Sequence, residues 1–301
     1  MKKRPGQSSG AALVIAMLLT ALGAAVAVQM IVPLSGWMER EHRARDTQAS
    51  YTLADAASSW AITVLAADLR LGPIDHYGEL WATPLPPTPV ERGTIEGRIT
   101  DLQSRFNLNN LAPRGVKSPA NVTLAKALFT QAGVPINLVD TLADAIDRDE
   151  LTDDGQSERQ RYGRSLRNAP LTRVADLLEV PGFTDAFVRS LAAAIIVLPE
   201  ASPINANTAS RSLIASAFPA ASTDVIDKAL LRRSQQPFSA AGDLATLLQQ
   251  PTLEGVFSAN SQYFAVDAVI RFERAAHRVQ LQIARPPAAR PVVISRLISN
   301  T

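Results

Sequence analysis

No cysteine occurs in the 301 residues. Its absence excludes disulfides, thiolate metal sites and cysteine nucleophiles, and it leaves the redox compartment open. Histidine is scarce: His42, His76 and His277 lie far apart and have no sequence-near catalytic partners. An excess of one charge is also lacking. With 30 Lys and Arg against 28 Asp and Glu, the formal net charge is +2, so nothing global points to a nucleic-acid or acidic partner. No metalloprotease helix, phosphate loop or nucleophile elbow is present, so catalysis is not expected. The hydrophobic share of 47% and mean hydropathy of +0.04 are ordinary for a globular chain carrying one membrane segment.

That segment is the run AALVIAMLLTALGAAVAVQMIV at residues 11–32, which contains no charge. About 20 apolar residues cross a bilayer as a helix. Lys2, Lys3 and Arg4 precede it, which keeps the N-terminus cytoplasmic and sends the remainder outward. A secretory signal peptide fits the same pattern, with Ala25-Val26-Ala27 as a cleavage site. The next residues separate the two readings. Leu34, Trp37, Met38, Tyr51, Ala54, Ala57, Trp60, Ala61, Val64, Leu65 and Leu69 recur at helical spacing, and Gly72-Pro73 supplies a stop. One long helix ending near Arg70 is therefore predicted, and cleavage after Ala27 would discard its first half. An anchor is favoured.

Residues 74–89 read as a loop because of Pro84, Pro86, Pro87 and Pro89. Ile95, Gly97 and Ile99 alternate with polar residues and predict a strand over 94–102, followed by the asparagine-rich turn RFNLNNL at 105–111. From 113 to 257 only helices are expected: 119–132, 136–148, 172–179, 184–197, 208–217, 223–233 and 239–249. Thr184, Thr208, Thr223 and Ser239 are their N-caps. A weak repeat relates residues 177–184 to 213–219. Strands return at 263–273 and 278–285, joined through Ala275-Ala276-His277, and a third, edge strand begins at Pro291. The fold class expected is α+β, a long N-terminal helix packed on an antiparallel sheet.

Acidic residues cluster at Asp144, Asp147, Asp149, Glu150, Asp153, Asp154 and Glu158. Asp144 and Asp147 share a helix face, and hard oxygen ligands at this density suit Ca²⁺. The spacing is not that of an EF-hand, and a solvated acidic loop is the plainer alternative. Short helix pairs also resemble helix-hairpin-helix units that bind DNA. Such hairpins use two glycines to approach a phosphate; 180–183 has only Gly182, and 217–220 has none.

Three features in order, the basic leader ending at Gly10 before the apolar run, RFNLNNL leaving a strand, and INANTAS at 204–210, make the chain similar to the K-type minor pseudopilins of bacterial type II secretion. The resemblance implies a leader at 1–10 cut by the prepilin peptidase after Gly10, with Ala11 methylated as the new N-terminus. It implies a membrane and filament-core helix at 11–33, a pseudopilin domain formed by 34–106 and 258–301, and a large SAM-like or helix-hairpin-helix-like all-helical domain inserted at 107–257. The fifth residue after the cut, Ile15, stands where most such subunits carry a glutamate, which is a K-type trait and implies a place at the filament tip. Asp144, Asp147, Asp149, Asp153, Asp154 and Glu158 would be ligands of a structural Ca²⁺, with Asp154 and Glu158 departing in spacing from the family pattern. The partners implied are minor pseudopilins I and J, the major pseudopilin and the inner membrane; no nucleic acid is expected. The location implied is the bacterial inner membrane, single-pass with the C-terminal part periplasmic, and then the tip of the pseudopilus. A competence-type DNA-binding protein and a secreted enzyme are the rival readings.

Overall fold

The computed structural model describes residues 9–90, 93–251, 255–272 and 275–300, so most of the expected leader lies outside the described residues. Helix α1 runs Ser9–Leu71, 63 residues without a break, or roughly 95 Å at 1.5 Å per residue. It divides by partner. None of Ala11–Met30 is buried, whereas Ala54, Ala57, Ala61 and Leu65 are completely buried. These recur three to four residues apart on one face, and the small alanines let the backbone lie close to what it covers. The helix ends where expected, with Gly72 N–H on Asp68 O at 3.3 Å and Pro73 unable to continue it.

What it covers is an antiparallel sheet of five strands among the described residues, β1 (Leu85–Val90), β2 (Gly93–Asp101), β7 (Tyr263–Phe272), β8 (Ala275–Ala284) and β9 (Val292–Asn300), hydrogen-bonded in that order. Alternation places Ile99, Phe264, Val266, Ala268, Ile270, Val279, Leu281 and Ile283 on one buried face with the α1 alanines and Trp81. The mixed helix-and-sheet class agrees with the α+β expectation. Two expectations need correction here. The proline-rich segment read as a loop contains β1; as an edge strand it can lack N–H donors on its free side. Ala275, Ala276 and His277 lie within β8 and pair with Phe272, Arg271 and Ile270, so the connection falls between 272 and 275.

Strands β2 and β7 are neighbours in the sheet, yet 102–262 lie between them in sequence. This region has its own hydrophobic core, including Phe106, Phe129, Leu142, Leu177, Leu213, Phe218 and Leu244. It is not purely helical. Strand β3 (Phe106–Asn107) pairs in parallel with β4 (Ile195–Ile196), and β5 (Ile204–Asn205) with β6 (Phe257–Ser258). Between them run α2 (Pro119–Gln131), α3 (Asn137–Ile146), α4 (Glu158–Tyr162), a 3₁₀ segment Val174–Glu179, α5 (Asp185–Leu191), α6 (Arg211–Ala217), α7 (Thr223–Gln235) and α8 (Ala241–Leu248). The helix expected over 184–197 stops at Leu191, because Ile195 and Ile196 are recruited by β3; an apolar run of this length does not distinguish helix from buried strand. Thr184 caps α5 as expected, accepting from Phe187 N–H. The cap of α6 is Ser210 and that of α7 is Ser222, not the threonines.

A repeat is present, in a different register from the one read in the sequence. In each unit a β-strand asparagine accepts from the N–H two residues on: Asn107 from Asn109, and Asn205 from Asn207. In each unit the second asparagine then clasps a distant backbone: Asn109 that of Leu171, Asn207 that of Phe238. Five residues further, Asp176 accepts from Thr172 N–H and Oγ1, and Asp243 from Ser239 N–H and Oγ. The units run from β3 to β4 and from β5 to β6. The first is longer chiefly because residues 147–170 intervene between α3 and Leu171.

Candidate functional site

Three places could carry function. The first is the stalk. Gly10 and Ala11 lie in the first turns of α1, and Ile15 is exposed along with Leu13, Leu18, Leu22 and Val26. Apolar surface of this length needs lipid or an apolar partner. It fits a single-pass membrane anchor.

The second is the acidic segment that lengthens the first repeat. Asp144, Asp147 and Glu158 are each only 2% exposed. The ammonium of Lys117, on the chain entering α2, contacts Asp144 Oδ1, lies 2.7 Å from Asp153 Oδ1 and 3.5 Å from Asp147 Oδ2. Tyr162 donates to the other oxygen of Asp144. Burial alone would lower the Lys117 pKa, but its hydrogen bonds to Asp144 and Asp153 hold it well above the usual value. Burial, reinforced by Asp149, Asp144 and Glu158 and opposed by Lys117, pushes Asp147 up to about 7. Burial also raises Glu158, and burial with the Asp144 contact takes Tyr162 to about 12.

Asp147 Oδ1, Glu158 Oε1 and Asn168 Oδ1 are buried without a partner. Unsatisfied buried acceptors are costly, and hard oxygens are what Ca²⁺ takes. Asp147, Glu158 and Asn168, with Asp144 and Asp153 beside them, are the groups that could hold such an ion, although the Lys117 ammonium already stands among Asp144, Asp147 and Asp153. Asp149 and Asp154 have bonds of their own. Asp149 accepts from Leu151 N–H. Asp154 is turned outward, bonded to Thr152 and to Arg161 at 3.3 Å. Lys117, Tyr162 and Asn168 were not among the expected site residues; nothing in their type or spacing marks them.

The third place is the joint between stalk and head. Asp68, Asp75 and Glu79 offer oxygens within 4.8 Å of one another, a closer set than the loop provides. Here too a cationic side chain stands among the carboxylates. Arg285, 3% exposed, donates to Asp68 Oδ2 at 2.7 Å, to Asp75, and to Ser261 O at 2.9 Å. Nearby, buried Asp101 accepts from Gln103 N–H, Asn205, Thr208 and Ser261, so INANTAS docks the second repeat onto the end of β2.

The hairpin glycine of the DNA-binding alternative has a packing role. Gly182 has φ +89°, and a Cβ there would meet Leu138 Cδ2 at 2.6 Å. It serves closeness to α3, not approach to a phosphate.

A stalk helix with an exposed apolar half, laid by its other half on an antiparallel sheet, is the build of a pilin-like subunit. Family models for "Type II secretion system (T2SS), protein K" match residues 104–200 and 204–267, which correspond to the two repeats. Type II secretion system protein K of Klebsiella pneumoniae is 30% identical over 81% of this chain and 80% of its own length. That of Pseudomonas aeruginosa is 28% identical over 87% and 84%. A chain from the crystal structure of the GspK-GspI-GspJ complex of enterotoxigenic Escherichia coli superposes with a TM-score of 0.72 at 22% identity, covering 87% of this chain and all of that one. The chain belongs to the type II secretion system protein K family and is a minor pseudopilin of that pathway; the DNA-binding reading has no support.

Proposed function

We propose that this subunit caps the tip of the type II secretion pseudopilus and helps to start its assembly, a structural and not a catalytic task. The observation that carries the reading is the undivided α1, exposed and apolar over Ala11–Met30 and head-bound from Ala54 onward. Such a helix serves first as an inner-membrane anchor, N-terminus in the cytoplasm and head in the periplasm, and then as the stalk of a filament. The prepilin peptidase cuts after Gly10 and Ala11 is methylated, leaving the stalk intact. Ile15 places no carboxylate in the filament core. An unpaired buried charge is costly, so a subunit with no neighbour above it is the one that can dispense with it.

The helical region between β2 and β7 is an inserted pair of SAM-like units, bulk that suits a tip and would obstruct stacking along a shaft. Minor pseudopilins I and J are the partners, on the model of the GspK-GspI-GspJ complex, with the major pseudopilin following. A Ca²⁺ ion held by the acidic segment has a structural role there, fixing the loop that lengthens the first unit. Two measurements test the assignment. Mature protein should begin at Ala11 in cells with the prepilin peptidase and keep residues 1–10 without it. The full chain should co-purify with I and J, and a mature form beginning near Val28 with no such partners would overturn the reading.

A further inference from the structure

At the joint, charge does not balance. Asp68 from α1 and Asp75 and Glu79 from the following loop surround one guanidinium, that of Arg285 at the end of β8. Asp68, Asp75 and Arg285 are at most 3% exposed. The ring of Phe264 lies 4.6 Å from the guanidinium carbon and closes one side to water. Beyond Arg285, the positive groups that act on this network among the described residues are the His76 imidazole, which eases Asp68, and Arg105 beside Asp101. Ser261 N–H donates to Asp75 Oδ2 at 2.7 Å, and Ser261 Oγ passes the network on to Asp101, a further carboxylate. Glu79 accepts from His76 N–H and Trp81 Nε1, and the His76 imidazole is turned to Gly78 N–H. Buried carboxylates in excess of their cations bind protons more tightly than free ones. Burial, opposed by Arg285, holds Asp75 up at about 6, and burial with Glu79 raises Asp68.

We propose that the Asp68–Asp75–Glu79 cluster around Arg285 is a proton-binding joint whose grip between stalk helix and head is strongest when it holds a proton and slackens as the surroundings become more alkaline. The sign follows from linkage. Where the folded cluster binds more protons than the unfolded chain, stability falls as pH rises. The elements joined are the ones a subunit must keep rigid under load: the last turns of α1, the loop after it, and the strand end at Arg285.

The test uses the full chain in detergent micelles, melted between about pH 5.5 and pH 7.5, a range above that in which ordinary carboxylates titrate. Wild type should lose about 3–6 °C of Tm across that range. Glu79→Gln removes one charge, and because both of its structural bonds fall on Oε2 the amide oxygen can keep them. It should cut the slope by at least half and raise Tm at the upper pH. Asp147 contributes to both proteins and His76 acts on Asp68, so the readout is the difference between wild type and Glu79→Gln, which should persist when both are melted in a His76→Gln background. A second measurement guards against a variant that folds poorly. In wild type the infrared band of a protonated carboxyl should fade over the same range, and the difference spectrum against Glu79→Gln should contain that band. Parallel melting slopes in wild type and Glu79→Gln, or a fading band of equal size in both, would overturn the proposal.

Discussion

Asn109 and Asn207 hold equivalent positions in two copies of one device. Asn109 donates to Leu171 O at 3.0 Å and accepts from Leu171 N–H at 2.8 Å; Asn207 donates to Phe238 O at 3.0 Å and accepts from Phe238 N–H at 2.8 Å. Each amide thus stands in for a stretch of β-ladder, satisfying a buried donor and acceptor that lie far away in sequence. Both asparagines are at most 4% exposed, so water cannot replace them. Asn207→Ala or Asn109→Ala is predicted to cost about 2–4 kcal/mol, since backbone groups are stranded as well as a side chain lost. Denaturant unfolding of each variant measures it; a loss below about 0.5 kcal/mol would show that the clasp is dispensable.

The part of this architecture that local pattern encodes was legible. The long helix, its end at Gly72-Pro73, the inward faces of β2, β7 and β8, and most helices of the middle region follow from spacing and caps. The clasp was not legible, because Asn109 and Asn207 act on partners 62 and 31 residues away, and nothing local marks Leu171 or Phe238 as the recipients. The same limit hid β4, whose two isoleucines become a strand only because Phe106 and Asn107 lie beside them. At the acidic segment, composition pointed to the carboxylates but not to Lys117 among them, which enters from the other side of α2. Proline count misled at β1, where an edge tolerates what a central strand would not.

Asp176 anchors the first repeat through charge. Its Oδ2 accepts from Thr172 N–H at 2.8 Å, Thr172 Oγ1 at 2.7 Å and Arg167 Nη1 at 3.2 Å, while Oδ1 accepts from Arg173 Nε at 2.9 Å. Burial alone would raise its pKa, but the donors of Thr172 and Arg173 outweigh it and hold the carboxyl well below the usual range. A depressed folded pKa contributes stability above the unfolded value, about pH 4, and that contribution is lost as pH falls further. Asp176→Asn should therefore destabilise by about 1–3 kcal/mol at neutral pH and flatten the acid limb of the stability profile. Wild type and variant showing the same acid limb would count against this role.

Gly182 allows α5 to begin where α3 passes. Its φ of +89° disfavours any Cβ, and one placed there would meet the terminal Leu138 methyl at 2.6 Å, so that side chain would have to shift. Gly182→Ala is predicted to lower stability by about 1–3 kcal/mol through both strain and overpacking. In combination with Leu138→Ala the steric part disappears and the conformational part remains. The double-mutant cycle should then give a favourable coupling of about 1 kcal/mol; strict additivity would show that Leu138 does not limit the site.

The proposed calcium site makes a prediction that a merely solvated acidic loop does not. If the partnerless oxygens of Asp147, Glu158 and Asn168 await a cation, calcium at about 100 times Kd should stabilise the protein by about 2.7 kcal/mol, read as a rise in Tm that a chelator reverses. Glu158→Gln and Asp147→Asn should weaken that response, while Asp154→Asn, at a carboxylate turned toward Arg161, should leave it intact. Lys117 separates the two readings further. Its ammonium stands among Asp144, Asp147 and Asp153, so it competes electrostatically with any ion bound there. Lys117→Met should lower stability in chelator, because like charges are left facing one another, and should enlarge the calcium-induced shift. In a solvated loop the first effect would appear without the second, and calcium would leave wild type and Lys117→Met equally unmoved.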